Sequence, residues 1–181
     1  TQGWINVQNA TSTETGLSSY VTATGGTITN SGNFRIHTFT GPGTFCVTSG
    51  GTQPPSSGTG SNLIDYIVVA GGGGSGGQVV HIQGGGAGGA GGFRASPGTA
   101  SGCYTASPRG AAPAVSLPSP VGPYPITVGG GGTGGTKNGN CAATSGNNSV
   151  ASLSTTITAA GGGAGGSPSS GPGCQAGLNG G

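Results

Sequence analysis

Few side chains in this chain could carry out chemistry. Its 181 residues include only two carboxylates, Glu14 and Asp65, and only two histidines, His37 and His81. General acid–base catalysis depends on such groups held close together, and Asp65 falls inside an apolar run. We therefore expect no catalytic residue, no cofactor and no enzyme activity. A lone histidine on a strand, such as His37, is expected to be a surface or packing residue.

The four cysteines do not form a metal-binding pattern. Cys46, Cys103, Cys141 and Cys174 lack the Cys-x₂-Cys spacing of zinc sites, so no metal is expected. Cys46 lies in a predicted strand and is interpreted as a buried thiol. Cys103, Cys141 and Cys174 lie in predicted loops, where one disulfide would add about 2–4 kcal/mol of stability. The sequence leaves the pairing open.

The charge and the distribution of apolar residues argue against two classes of partner. Lysine and arginine together number 4, and the net charge is +2. Binding to nucleic acid requires clustered basic residues, so we expect no nucleic-acid partner. No apolar run reaches the ~18 residues that a spanning helix needs, and membrane insertion is not expected either.

One long loop is a candidate for recognition. Residues 95–120 are rich in proline and serine and include Tyr104 and Arg109. Tyrosine and arginine are enriched where surfaces bind partners, and long loops carry function more often than the scaffold does. Tyr104 and Arg109 are therefore candidate receptor or subunit contacts; the alternative is a solvated spacer.

Alternating patterns predict the strands that must position such loops. Residues 33–39 place Phe34 and Ile36 on one face. A turn signal follows, and a returning strand then directs Phe45 and Val47 inward, which predicts a hairpin.

Three further stretches are predicted strands. Residues 63–69 are apolar except for Asp65, which predicts a central strand buried on both faces, with Asp65 needing hydrogen-bond partners. Residues 125–128 and 153–158 add two shorter strands. Helix has almost nowhere to form, because glycine occupies 46 positions.

Glycine tracts follow these strands. Thirteen of the 22 residues in 71–92 are glycine, and shorter tracts follow residues 128 and 160. Ordering 22 backbones costs at least ~20 kcal/mol, which the few apolar side chains cannot offset. Either the tracts are flexible linkers, or their amides pair with neighbouring polyproline-II segments that only glycine allows to approach closely. The second interpretation is favoured.

The predicted fold is all-β. We expect a small β-sandwich-like sheet with glycine-rich loops of polyproline-II type and little or no α-helix. Residues 1–26 are expected to form an N-terminal connecting segment, and residues 27–181 one glycine-rich β domain that carries the insert at 95–120.

These strands and tracts form a recognisable series. The series comprises Gly32 to Val47, Leu63 to Gly74, Gly84 to Gly92, Tyr124 to Gly132 and Gly146 to Ser149, and it ends with Ala159 to Gly163. The series resembles the glycine-rich domain of phage tail-fibre and virion structural proteins, many of them similar to those of cyanophages. The resemblance covers roughly residues 25–166 and transfers no catalytic residue.

This resemblance implies a function at the virion surface. It implies a structural or adhesive component of a tail fibre or capsid appendage, whose partners are other virion proteins and a host cell-surface glycan or protein. By analogy with phage fibres, the chain is expected to form a homo-oligomer, and a trimer is suspected. The alternatives are a passive capsid decoration and an ice-binding protein with a flat face of stacked glycine helices.

Overall fold

The computed structural model describes residues 21–32, 34–50, 63–77, 85–96, 115–116, 121–136 and 143–167. Its strands are β1 (Thr22–Thr24), β2 (Thr27–Ser31), β3 (Phe34–Thr38), β4 (Gly43–Ser49), β5 (Leu63–Ile64), β6 (Ile67–Val69), β7 (Phe93–Ala95), β8 (Val115–Ser116), β9 (Pro123–Thr127), β10 (Ser149–Ser152) and β11 (Thr156–Ala159). No helix occurs in these ranges, and the all-β prediction is confirmed.

One antiparallel sheet organises the described strands. It has five strands in the order β1-β4-β9-β10-β11. Three two-stranded ribbons accompany it, formed by β2–β3, β5–β8 and β6–β7. The β6–β7 ribbon packs against β10 and β11, which gives a small two-layered arrangement at this end of the sheet.

Two small apolar clusters hold the sheet together. The first contains Ala23, Phe45 and Val47, with Phe45 and Val47 buried as predicted. The second contains Ala151 and Ile157, against which Val68 of the β6–β7 ribbon packs. Because these clusters are small, backbone pairing has to supply much of the fold's order.

The predicted hairpin between residues 33–39 and 44–47 is wrong. β3 pairs with β2, whereas β4 pairs with β1 and β9. Phe34 and Ile36 are both 44% exposed rather than facing the core. The alternation was real, but it belongs to a separate ribbon whose other face carries the partly buried residue, His37.

His37 is a packing residue, as predicted for a lone histidine. Its Nδ1 lies 2.8 Å from the carbonyl oxygen of Gly25, and its ring meets Phe45 edge-on at 5.0 Å between centroids. Gly25 has a φ of 104°, a left-handed conformation that favours glycine. The imidazole therefore fixes the turn that joins the main sheet to the β2–β3 ribbon.

The predicted central strand at 63–69 is also wrong. The run divides into β5 and β6, and Ile67 and Val69 are 71% and 54% exposed. The break falls at Asp65, whose carboxylate accepts a 2.8 Å hydrogen bond from the hydroxyl of Ser96. Asp65 thus has the partner it was expected to need, although it is exposed rather than buried.

Two smaller adjustments concern the other predicted strands. The strand expected at 125–128 is β9, which begins two residues earlier, at Pro123. The strand expected at 153–158 is shorter, because the chain bends over residues 153–155 and β11 begins at Thr156. The stretch before this bend forms β10.

Candidate functional site: the glycine lattice

The principal site is a bundle of five backbone segments, here called the glycine lattice. Its tracts are numbered in chain order and span residues 70–77, 85–92, 129–136, 143–148 and 160–167. Each tract directly continues or leads into a strand: the first follows β6, the second precedes β7, the third follows β9, the fourth precedes β10 and the fifth follows β11. The sheet therefore dictates where every tract starts or ends.

Strand register passes unbroken into the lattice. In the β6–β7 ribbon Val69 lies opposite Phe93. The same register continues between the first two tracts, where every third amide of the first donates to the second: Ala70 to Gly92, Gly73 to Gly89 and Gly76 to Gly86. The ribbon thus acts as a template for the pairing of the first two tracts.

The other two hairpins behave in the same way. Thr127 lies opposite Val150, and Asn147 then donates to the carbonyl of Gly130 between the fourth and third tracts. Ser149 lies opposite Ala159, and the next bond in that register joins Gly146 to Gly162. Every pair of tracts that adjoins a pair of hydrogen-bonded strands therefore keeps the register of those strands.

The first tract lies at the centre because it bonds to all four others. Its amides donate to the second tract every third residue, and those of Gly71 and Gly74 donate to the fourth. Its carbonyls at Gly71 and Gly74 accept from the fifth tract, and those at Gly72 and Ser75 accept from the third. The fifth tract also bonds to the second and fourth, and the fourth to the third. The lattice therefore has two layers. One layer contains the second, first and third tracts in that order, and the other contains the fifth and fourth tracts.

A period of three residues separates these tracts from strands. Residues 71, 74 and 77 of the first tract are buried, whereas residues 72 and 75 are exposed. Three residues per turn is the repeat of a polyproline-II helix, which has no internal hydrogen bonds and must pair laterally. The favoured sequence interpretation, an ordered lattice rather than a flexible linker, is confirmed for the described parts of the tracts.

The bonds are short enough to require glycine at inward positions. A Cβ on Gly73 would overlap the carbonyl of Gly163, and one on Gly74 would overlap that of Thr133. A Cβ on Gly72 would find its nearest neighbour, the carbonyl oxygen of Gly89, at 3.6 Å, which is ordinary contact. Of these three consecutive positions in the first tract, only Gly72, the outward one, therefore has room for a side chain.

Interruptions of the glycine in the first two tracts fit this outward position, a signal that alternation of apolar and polar residues does not reveal. The non-glycine residues of the second tract are Ala87 and Ala90, three residues apart, and both are exposed. Ser75 in the first tract is also exposed. The three-residue spacing of alanine, serine and threonine within the tracts is the signal that would have located the outward positions.

The fourth tract differs because its side chains cap amides of neighbouring tracts. Asn148 Oδ1 accepts from the amide of Gly161 at 2.8 Å, and Thr144 Oγ1 accepts from that of Thr133 at 2.7 Å. Ser145 Oγ accepts from Ala164 at 3.3 Å. The hydroxyls and amides of this tract replace backbone acceptors at the margin of the lattice.

The tract ends meet at the end of the lattice remote from the sheet, here called the distal end. The hydroxyl of Ser167 donates to the carbonyl of Gly77 at 3.1 Å, and the amide of Gly86 donates to Gly166 at 2.6 Å. Residues 78–84 connect the first two tracts from this end, and residues 137–142 connect the third and fourth. The chain also continues from here beyond Ser167.

The predicted site residues divide into two groups. Tyr104, Arg109, Cys103, Cys141 and Cys174 lie outside the described residues, so these predictions stay open, as does His81. Cys46 is a half-buried free thiol in β4. Among the residues that the structure describes, no cluster of three or more possible metal ligands occurs, and no helix is long and apolar enough to cross a membrane.

Comparison with known proteins identifies the family. Neither a search of curated proteins nor a search of solved structures gives a significant match. A family model described as a glycine-rich domain matches residues 48–181, which includes all five tracts. With most of its length covered by that model, the chain belongs to the glycine-rich domain family.

Proposed function

We propose that this chain is a structural, adhesive component of a phage virion, in a tail fibre or capsid appendage, and that it binds without turnover. The lattice carries this proposal: five tracts cross-bonded in two layers make a rigid body from residues with almost no side chains. A rigid framework that holds connecting segments at one end is a common arrangement for loops that carry function.

The charge and surface of the chain favour this function over chemistry. The whole sequence carries two carboxylates and four basic residues. The described tracts contain none of them, so the lattice is a neutral framework. The resemblance to virion proteins supplies the phage context, and a glycan or protein of the host surface would be the partner.

Two regions compete for the adhesive role. The insert at 95–120, with Tyr104 and Arg109, begins at the end of β7, and the hydroxyl of its Ser96 donates a hydrogen bond to the carboxylate of Asp65. The connections at 78–84 and 137–142 leave from the distal end. We assign the contact to the distal end, because the tract ends from which three segments leave adjoin one another there.

Binding to a panel of bacterial envelopes and a glycan array tests this assignment. One variant replaces residues 78–84 and 137–142 with Gly/Ser segments of equal length; its matched control carries Tyr104→Ala and Arg109→Ala. We expect binding to fall in the first variant and to persist in the control. The opposite result would assign recognition to the insert, and absence of binding by the unaltered chain would favour passive decoration.

The virion assignment has a separate test. Antibody raised against the chain should label particles at a fibre or appendage in electron micrographs. Labelling confined to soluble protein or cell envelope, with particles unlabelled, would contradict it. Release of reducing sugar from host envelopes by the purified chain would contradict a function without turnover.

A further inference from the structure

The outer side of the second and first tracts forms a single face with the β6–β7 ribbon. This outer face comprises Ile67, Val69, Gly72 and Ser75 on one row, and Phe93, Ala90 and Ala87 on the other. All seven are exposed. Val68, between Ile67 and Val69, instead packs against the cluster of Ala151 and Ile157, which identifies the outer face as the side turned away from the core.

The exposure of this face calls for an occupant. Ile67, Val69 and Phe93 are 71%, 54% and 37% exposed. Contiguous apolar patches on soluble proteins commonly mark interaction sites.

We propose that this face binds the same face of a second copy of the chain in an isologous dimer. The strand register makes the two rows complementary: Val69 lies opposite Phe93, and Gly72 and Ser75 come level with Ala90 and Ala87 in the same register. The two-fold axis runs parallel to the tracts and between the two rows. It places the row of Val69 in one copy over the row of Phe93 in the partner, and the reverse.

The shapes and charges of the rows fit this arrangement. Phe93 of each copy covers Val69 of the other, and the methyl group of Ala90 lies over Gly72, where the structure leaves space for a carbon atom. The face itself carries no charge. The ionisable residues nearest to it in sequence, Asp65 and Arg94, carry one charge of each sign, so they add no net charge.

The area predicts a weak dimer. Eight residues of polyproline II extend ~25 Å, so the two tracts and the ribbon's side chains form a narrow strip that buries at most about 1,000 Å² in total over both copies. That total is near the lower limit for a specific interface. The inference is independent of the proposed function, since it uses only the register and exposure of these residues.

Sedimentation velocity of the full chain, from about 1 μM to about 1 mM, tests the dimer over the range in which a small interface dissociates. We expect a reversible monomer–dimer equilibrium. Val69→Asp should weaken it at least tenfold, because a carboxylate would be buried against the partner's aromatic ring. Val121→Asp, at another valine that is 43% exposed, is the matched control and should associate like the unaltered chain.

A second variant guards against misfolding of the first. Ala87→Lys adds a charge at an exposed outward position of the lattice and should also abolish the dimer while leaving thermal unfolding unchanged. A monomer at every concentration, a trimer as fibre analogy predicts, or a dimer that survives both variants would overturn the proposal.

Discussion

Glycine at an inward lattice position should be far less replaceable than its neighbour at an outward position. Gly73 and Gly72 are adjacent in the central tract and provide a matched pair. The Cβ of Gly73→Ala would overlap the carbonyl of Gly163, whereas the Cβ of Gly72→Ala would meet nothing closer than 3.6 Å. Neither residue has a left-handed φ, so the backbone conformation itself accepts alanine at both.

The magnitude follows from the bonds that Gly73→Ala must disturb. Non-bonded contacts are most favourable at ~3.5–4.0 Å, so the fifth and first tracts must separate by more than ~1 Å to admit the methyl group. That movement breaks the bonds from Gly162 to Gly71 and from Gly165 to Gly74, both 2.8 Å long. At about 1–3 kcal/mol for each buried bond left unmade, the loss is roughly 2–6 kcal/mol.

Chemical and thermal denaturation of both variants at low concentration measure this difference. Whole-domain stability is typically about 5–15 kcal/mol, so Gly73→Ala should remove a large part of it and lower the Tm by roughly 5–20 °C. Gly72→Ala should be neutral or stabilise by up to ~1 kcal/mol, because alanine restricts the unfolded chain. Equal Tm values for the two variants would refute the inward–outward distinction.

Two further pairs of substitutions, each with its own control, test how the lattice margin and the core are held. Asn148→Ala removes the acceptor for the amide of Gly161 and should reduce the free energy of unfolding by about 1 kcal/mol. Asn147 bonds to the lattice through its main chain, so Asn147→Ala should change that free energy by less than ~0.5 kcal/mol. Similar urea midpoints for the two variants would count against the capping role of Asn148. Phe45→Ala should reduce the free energy of unfolding by about 3–5 kcal/mol, because Phe45 is buried. Phe34→Ala, at a 44% exposed position, should reduce it by less than ~1.5 kcal/mol. A larger loss for Phe34→Ala in the same urea titrations would contradict the observed placement of β3.

The lattice could be predicted from the sequence because burial of side chains alone cannot hold the glycine tracts in order. A tract with so few side chains cannot offset its ordering cost by burial, so pairing of its amides was the remaining route to order. The inward burial of Phe45 and Val47 also followed from alternation. What alternation could not supply was the partner of each strand, since β2, β4 and β9 offer similar patterns.

The errors have specific physical reasons. β3 was expected to pair with β4 across a turn, but the left-handed Gly25 and Gly26 turn the chain early and give β3 its partner in β2. The apolar run at 63–69 was read as buried on both faces. Its outer residues, Ile67 and Val69, belong instead to a face that the chain itself leaves uncovered.

The three-residue rule was hidden by the abundance of glycine. Every position of a tract can be glycine, so only the interruptions carry information, and Ala87, Ala90 and Ser75 are few. Which interruption is tolerated depends on neighbouring tracts that are remote in sequence. Gly73, for example, is constrained by Gly163, which lies 90 residues further along the chain.

Residue-resolved amide hydrogen exchange in the first tract tests the lattice most directly. The account predicts slow exchange at Gly71, Gly73 and Gly74, whose amides donate to neighbouring tracts, and faster exchange at Gly72 and Ser75, which face outward. In the dimer the two outward amides would be partly shielded, so the measurement belongs at low concentration. Uniformly rapid exchange across residues 70–77 would mean that the tracts are not bonded to one another, and the lattice would have to be abandoned.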